Sequence, residues 1–415
     1  MGRIVVRDVR LFDGVGPGVS AGATVAWEGD RITEVTTGGT TVPTRADDVV
    51  VEGNGRTVMP AMVMTHLHST YSDLGAVKAP FGLDHPVPYQ AIRAAKNVER
   101  LVGCGYTSAV SAGAAHDVDA SLQQAISEGL IPGPRLIPCS RELSTTGHSN
   151  DGSPWWWGTT ALGATRLCDS PDAFRLAVRE EIKRGARMIK VYLTGGHGVA
   201  SPAEQMEMTR DELVAVVDTA HARGARVRAH IANKAAILLA LEVGVDIIDH
   251  ADGMDAECVA AIVEAGAFVV PSLFFLETVM ANLPPEAADT AQRMRASLEA
   301  AYEALHLAAD AGVRLTVGDD YGALGFAHGM YNHELVSLVK RAGIAPDEVL
   351  RWATRNGAAM MLMEDDLGAV EVGRLADVLL VDGDPVADIA VLAEPANLVA
   401  VIKEGVTVAG ALPGH

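Results

Sequence analysis

The chain opens on a period of two. In MGRIVVRDVRLFDG the apolar members are Ile4, Val6, Val9 and Leu11, the pattern of a strand with one buried face. ATVAWEGDRITEVTTGG and DDVVVEGNGRTV continue it, and Glu28-Gly29-Asp30 between two alternating runs signals a hairpin. The same character returns at the far end, in GRLADVLLVDGD and LVAVIKEGVTVAG. Residues 1–57 and 366–415 are each too short to bury a good core alone. The expectation is one small β-sandwich domain built from both termini.

Between them, over 58–365, short β-branched runs alternate with longer amphipathic patterns. The expected strands are VMPAMVMT, TSAVSAG, RLIPCS, ARMIKVYLT, ARVRAH, VDIIDH, AFVVPSL and VRLTVGD. Helical periodicity occupies PYQAIRAAKNVERLVGCG, SPDAFRLAVREEIKRG, TRDELVAVVDTAHARG and NKAAILLALEVG. Gly103, Gly185, Gly224, Gly244, Gly266 and Gly312 punctuate helix ends before strands. Eight strand–helix units over about 300 residues fit an α/β fold of the (β/α)8 TIM-barrel kind better than a doubly wound open sheet.

Composition narrows the functional classes. With 49% hydrophobic and 21% charged residues in 415, the chain is globular rather than disordered. Its formal charge of −20 repels nucleic-acid phosphates and anionic lipid, so neither is expected as a partner. No apolar run is long enough for a membrane span, and the N-terminus has no secretory pattern. Cys104, Cys139, Cys168 and Cys258 are widely spaced, which suits neither a disulfide framework nor a thiolate zinc site; a reducing cytoplasm is the expected location. Gly18-Val19-Ser20-Ala21-Gly22 matches GxSxG, but it sits among strands with no following helix, so the exposed-serine elbow is missing. No P-loop, no dinucleotide-binding GxGxxG after a strand and no HExxH occurs.

Chemistry concentrates at strand ends, where barrel enzymes keep their sites. Strand one ends in Thr65-His66-Leu67-His68, whose two imidazoles share a face at period two. Strand four carries Lys190, strands five and six end at His230 and His250, and strand eight runs into Gly318-Asp319-Asp320. A lone histidine in such a place is usually a hydrogen-bonded structural group, and a lone lysine can snorkel to the rim. Their conjunction at one end of five strands points instead to divalent cations, zinc above all, held by imidazole and carboxylate. An ammonium cannot ligate a cation. Addition of carbon dioxide to Lys190 gives N6-carboxylysine, an anionic carbamate whose two oxygens can bridge two metals; apolar neighbours favour the neutral amine this requires.

These motifs resemble the amidohydrolase superfamily, metal-dependent hydrolases on a (β/α)8 barrel. The resemblance runs over nearly the whole chain: the HxH at His66 and His68, Lys190 in IKVYLTGG, His230 in RAHIAN, His250 in IIDHADGM, Asp320 in VGDDYG, and the closing GRLADVLLVDGDPVADIAVL with VIKEGVTV. Met188 through Asp252, with Thr146-Gly147-His148, is most similar to the prolidase-like group, related to Xaa-Pro dipeptidases and imidazolonepropionases. The resemblance implies a binuclear site. His66, His68 and Asp320 hold the more buried ion and His230 and His250 the more exposed one, with carboxylated Lys190 and a hydroxide bridging. Asp320, preferred to Asp319, acts as ligand and general base. His148 is a candidate donor to the carbonyl oxygen, and Tyr192 and Trp156 are candidate substrate contacts. The loop triplet Trp155-Trp156-Trp157 reads equally as a lid or an oligomer contact, and Arg141 and Arg166 as carboxylate binders or solvated charges. The implied activity is hydrolysis of an amide or peptide-like C–N bond in a small molecule. Carbamates, ureas and cyclic amides are the alternatives, and relatives often assemble into homo-oligomers. A mononuclear deaminase places a glutamate where Asn233 stands, and a scaffold that has lost its ligands does not fit a complete set.

Overall fold

The structure is a computed structural model that describes residues 2–414 apart from 41, 73–81, 149, 158–162, 200, 284–287 and 323–324. The N-terminal alternation forms β1 (Ile4–Leu11), β2 (Ser20–Glu28), β3 (Arg31–Thr36), β4 (Val49–Glu52) and β5 (Thr57–Pro60). The odd step from Val6 to Val9 is a bulge. Register shifts flank Val9, and Asp8 takes φ 56°, so Val6, Val9 and Leu11 all reach one apolar cluster. The bulge also lets β1 pair parallel with β4 through its first half and with β5 through its second.

Ten further strands carry the parallel system: β6 (Met62–Leu67), β7 (Tyr106–Ser111), β8 (Arg135–Ile137), β9 (Cys139–Ser144), β10 (Thr165–Leu167), β11 (Met188–Tyr192), β12 (Arg226–Ile231), β13 (Ile247–His250), β14 (Phe268–Val270) and β15 (Arg314–Leu315). They pair as β6-β7-β8 and as β10-β9-β11-β12-β13-β14-β15. A single closed ladder of eight is not formed among the described residues. Pro138, which has no N–H to donate, divides the expected third strand into β8 and β9. At the other junction the Thr65 N–H donates to the Val317 carbonyl (3.0 Å), tying β6 to the chain just past β15.

Helices return the chain between strands. They include α1 (Val87–Gly103), α2 (Val118–Ser127), α3 (Pro171–Lys183), α4 (Arg210–His221), α5 (Lys234–Val243), α6 (Ala256–Ala265) and α7 (Leu273–Ala281). Ser170 accepts from the Ala173 N–H to start α3, Thr209 and Glu212 form a reciprocal capping box on α4, and Asn233 accepts from the Ala236 N–H on α5. Gly244 and Gly266 end α5 and α6 in the left-handed region, as expected, but Gly103 lies inside α1 and Gly105 takes the positive φ.

The C-terminal strands β16 (Val378–Val381), β17 (Leu398–Lys403) and β18 (Val406–Gly410) return to the first sheet, β16 pairing antiparallel with β5. Hydrogen bonds join strands from both ends of the chain into one eight-stranded sheet. The divided pairing of β1 is the reason. Trp27 lies in the core of this sheet, its indole N–H donating to the Gly405 carbonyl (3.1 Å). Among the described residues no helix is long and apolar enough to cross a membrane, and all four cysteines are free thiols.

Candidate metal centre

The ends of β6 and β13 and the turn after β15 meet at one place. His66 and His68 are buried because β6 is enclosed on both faces. The chain past β15 approaches so closely that a Cβ on Gly318 would lie 2.3 Å from the His66 nitrogen; only glycine fits there. That approach delivers Asp320. His66 Nε2 lies 3.1 Å from His68 Nε2 and 3.0 Å from Asp320 Oδ1, and His68 Nε2 lies 3.1 Å from the same oxygen.

The other ring nitrogens determine what these atoms are. His68 Nδ1 faces the Gly113 carbonyl at 2.9 Å, and His66 Nδ1 faces Asp249 Oδ1 at 3.2 Å. The Gly113 carbonyl accepts, so His68 Nδ1 carries the proton and its Nε2 presents a lone pair; His66 Nδ1 meets Arg228 Nη2, a donor, at 3.1 Å beside the Asp249 acceptor. The His68 lone pair and the Asp320 oxygen lie 3.1 Å apart with His66 Nε2 within 3.1 Å of both, a cluster of donor atoms close enough to share one ion. The donor set therefore fits a divalent ion.

His250 ends β13 at φ 75°, with Ala251 following at φ 58°. This costly backbone turns both Asp249 and His250 toward the site from adjacent positions. His250 Nε2 stands 4.0 Å from Asp320 Oδ2. A second potential ligand group comprises His250, Asp320 and His197. His230 packs against His250 with ring centroids 4.6 Å apart and stacks on Tyr192 at 4.7 Å, while its Nε2 faces the Gly196 carbonyl at 3.2 Å.

Lys190 is buried, with Nζ 2.6 Å from Asp249 Oδ2. Arg228, fully buried two residues before His230, donates to both Asp249 oxygens and to the carbonyls of Thr65 and Ser111. Asp249 thus has two cationic partners. Burial alone would raise its pKa, but Arg228, Lys190 and His66 hold it well below the usual carboxylate range. Asp320 is likewise held well below that range, because His66, His68 and His250 outweigh the cost of its burial. Burial lowers His66, His230 and His250, the last two strongly, helped by Lys190 and His197 for His230 and by His197 and His230 for His250. Neutral imidazoles and an ionised carboxylate are the forms that ligate.

Asp319 points elsewhere. Its oxygens accept from the backbone N–H groups of Asp320 (2.8 Å) and Phe275 (2.9 Å). His148 is buried, with its ring 4.8 Å from Tyr192. The Asn150 N–H donates to its Nδ1 at 3.2 Å, which leaves the hydrogen on Nε2. Burial brings His148 down to about 4, so the ring is neutral at pH 7.

Trp156 stays 68% exposed in a short helical turn, packed edge-to-face on Trp155 rather than on the histidines. The two arginines considered for a substrate carboxylate are committed elsewhere: buried Arg141 forks onto Glu181 through Nε (3.0 Å) and Nη2 (2.6 Å), and Arg166 pairs with Glu180 at 3.2 Å. Arg228, Asp249, Glu142 and His197 were not singled out from the sequence. Arg228 carries a signal, since it shares the face of His230 at period two. Glu142, which accepts from the Tyr71 hydroxyl and from Asn150 Nδ2, carries none.

Residues 57–408 match the amidohydrolase family. The chain belongs to that family. It is by this membership a hydrolase of amide-type bonds in small molecules. An ochratoxinase of Aspergillus niger is 28% identical over 372 residues, covering 84% of this chain and 75% of that protein. A prolidase complexed with N-methylphosphonate-L-proline superposes with TM-score 0.83 at 30% identity, over 98% of this chain and 99% of the other. A Xaa-Pro dipeptidase with methionine in its active site reaches TM-score 0.85 at 26% identity, with 98% and 99% coverage. The family and these structures imply a TIM barrel with a small accompanying domain.

Proposed function

We propose that this amidohydrolase uses two divalent cations, zinc foremost, to cleave an amide between a carboxyl-bearing residue such as proline and its acyl partner. The observation that carries the reading is the triangle of His66 Nε2, His68 Nε2 and Asp320 Oδ1. These three atoms would hold the more buried cation, and His230 and His250 would face the second. Bound there, the pair supplies a water of lowered pKa and polarises the scissile carbonyl.

The protein's own groups do the rest. Asp320, ionised and beside both imidazoles, takes the proton of the attacking water and returns it to the leaving amine. His148, with its hydrogen on Nε2, donates to the carbonyl oxygen as negative charge develops. Tyr192, wedged between the His148 and His230 rings, lines the wall against which the substrate lies. Lys190, as the free amine, would add carbon dioxide and lose one proton to give a carbamate, an anionic oxygen donor for the cations; Arg228, which donates to both Asp249 oxygens, would keep that carboxylate paired when Lys190 changes charge.

The test combines metal analysis of protein purified without chelator with a turnover screen over Xaa-Pro dipeptides, N-acyl amino acids, aryl carbamates and phenylureas. About two divalent ions per chain and turnover of the amides are expected. A metal-free preparation with full activity would refute the proposal.

A further inference from the structure

We infer that His197 is a substrate-binding residue, its imidazole held by Asp252 so that Nε2 meets a polar group of the amide beside the scissile bond; this rests on the hydrolase reading above. His197 lies in the loop after β11, in Thr194-Gly195-Gly196-His197-Gly198. It adopts φ 45° although glycines flank it on both sides. A side chain in the left-handed region costs on the order of 1 kcal/mol, and such strain concentrates where a side chain must be presented to a ligand. The loop cannot relax easily: a Cβ on Gly198 would lie 2.3 Å from the Phe275 ring, and the Gly196 N–H is tied to the Ser201 carbonyl at 2.9 Å.

The ring carries a second unfavourable feature. His197 is only 6% exposed; its Nδ1 lies 2.8 Å from Asp252 Oδ1, and its Nε2 has no partner among the described residues. A carboxylate only accepts, so the proton is on Nδ1 and Nε2 is the free atom. A histidine serving the fold alone would have both nitrogens satisfied. Here one is oriented by a carboxylate and the other left open, beside His250 at 3.7 Å and near His230 at 6.4 Å. Shared ligation with His250 fits poorly. Their rings are within 15° of parallel, so the in-plane lone pairs run side by side instead of converging on one ion. His197, His250 and Asp320 lie close enough to share an ion, but the near-parallel rings favour a contact to substrate over that ligation.

The experiment uses His197→Asn and His197→Gly, since both replacements tolerate positive φ, and Asp252→Ala, each as the metal-loaded full chain, with an amide that the wild type turns over. Relief of backbone strain should offset the lost packing, leaving the two His197 variants within about 3 °C of the wild-type melting temperature. Their metal content should be unchanged, and KM should rise roughly tenfold or more with a smaller fall in kcat. Asp252→Ala should raise KM in the same direction by a smaller factor. Unchanged KM in the His197 variants overturns the inference in favour of packing, and loss of a cation overturns it in favour of ligation. A wild type that turns over no amide fails before any variant is compared, and the hydrolase reading and this inference then fall together.

Discussion

Two adjacent carboxylates after the eighth expected strand have opposite environments. Asp320 is held ionised by His66, His68 and His250, whereas Asp319 is pushed well above the usual range by burial and by the charges of Glu334 and Asp320. Asparagine imitates a neutral carboxyl and not an ionised one. Asp319→Asn should therefore keep activity within about tenfold, while Asp320→Asn should lose roughly a thousandfold in kcat; steady-state kinetics on metal-loaded protein would expose the reverse order. Lys190→Ala removes the nitrogen that can carry the bridge and leaves Asp249 with Arg228 as its cationic partner. The expected result is loss of about one cation per chain and on the order of 100-fold in turnover, with part restored by acetate or propionate. Metal analysis alongside kinetics checks both halves. His148 supplies a pH prediction. Its folded pKa of about 4 lies below the unfolded value near 6.5, so the unfolded chain binds the extra proton between those values. Stability is complete above pH 6.5 and falls as pH drops toward 4, with a slope from this ring of up to about 1.4 kcal/mol per unit. Urea unfolding of metal-free protein at pH 7, 6 and 5 should be flatter for His148→Gln.

The elements that position these residues begin and end on readable signals. Ser170-Pro171, Thr209 with Glu212, and Asn233 start α3, α4 and α5 where the sequence places them. Thr209→Ala should cost about 1 kcal/mol, seen as a lower urea midpoint with an unchanged m-value, and metal content should not move. A large loss of bound metal in that variant would mean that α4 does more than support β12. What the period could not supply was continuity. Pro138 breaks one strand in two, and beyond the end of α1 at Gly103 it is Gly105 that takes the positive φ. The eighth strand shrinks to Arg314–Leu315 because the chain leaves the ladder to bring Asp320 under His66. These departures follow from proline's missing donor and from one close backbone approach, neither of which leaves a hydrophobic period.

For the whole molecule, the site joins segments some 250 residues apart in sequence, His66 and Asp320 being separated by 254 positions. A cation bound among such segments links the two ends of the parallel system and stabilises only the folded chain. Removal of metal by a chelator should lower the melting temperature, and zinc should restore it; a ligand present at a thousand times its dissociation constant contributes about 4 kcal/mol. An unchanged melting curve after complete metal removal would place the ions outside the structural core.

The amino-acid sequence by itself determined the α/β alternation, the β-rich ends and the residue types at the strand ends, because these follow from periodicity and from the chemistry of imidazole and carboxylate. The meeting of His66, His68, His250 and Asp320 at one place was expected for that reason. Only the tertiary structure decided that Asp249 bonds to Lys190 and Arg228, that Arg141 is spent on Glu181, that Asn150 sets the tautomer of His148, and that His197 stands open beside His250. Each of these depends on which partner a buried polar group finds across the fold. Short-range pattern reports burial, but it does not report the partner.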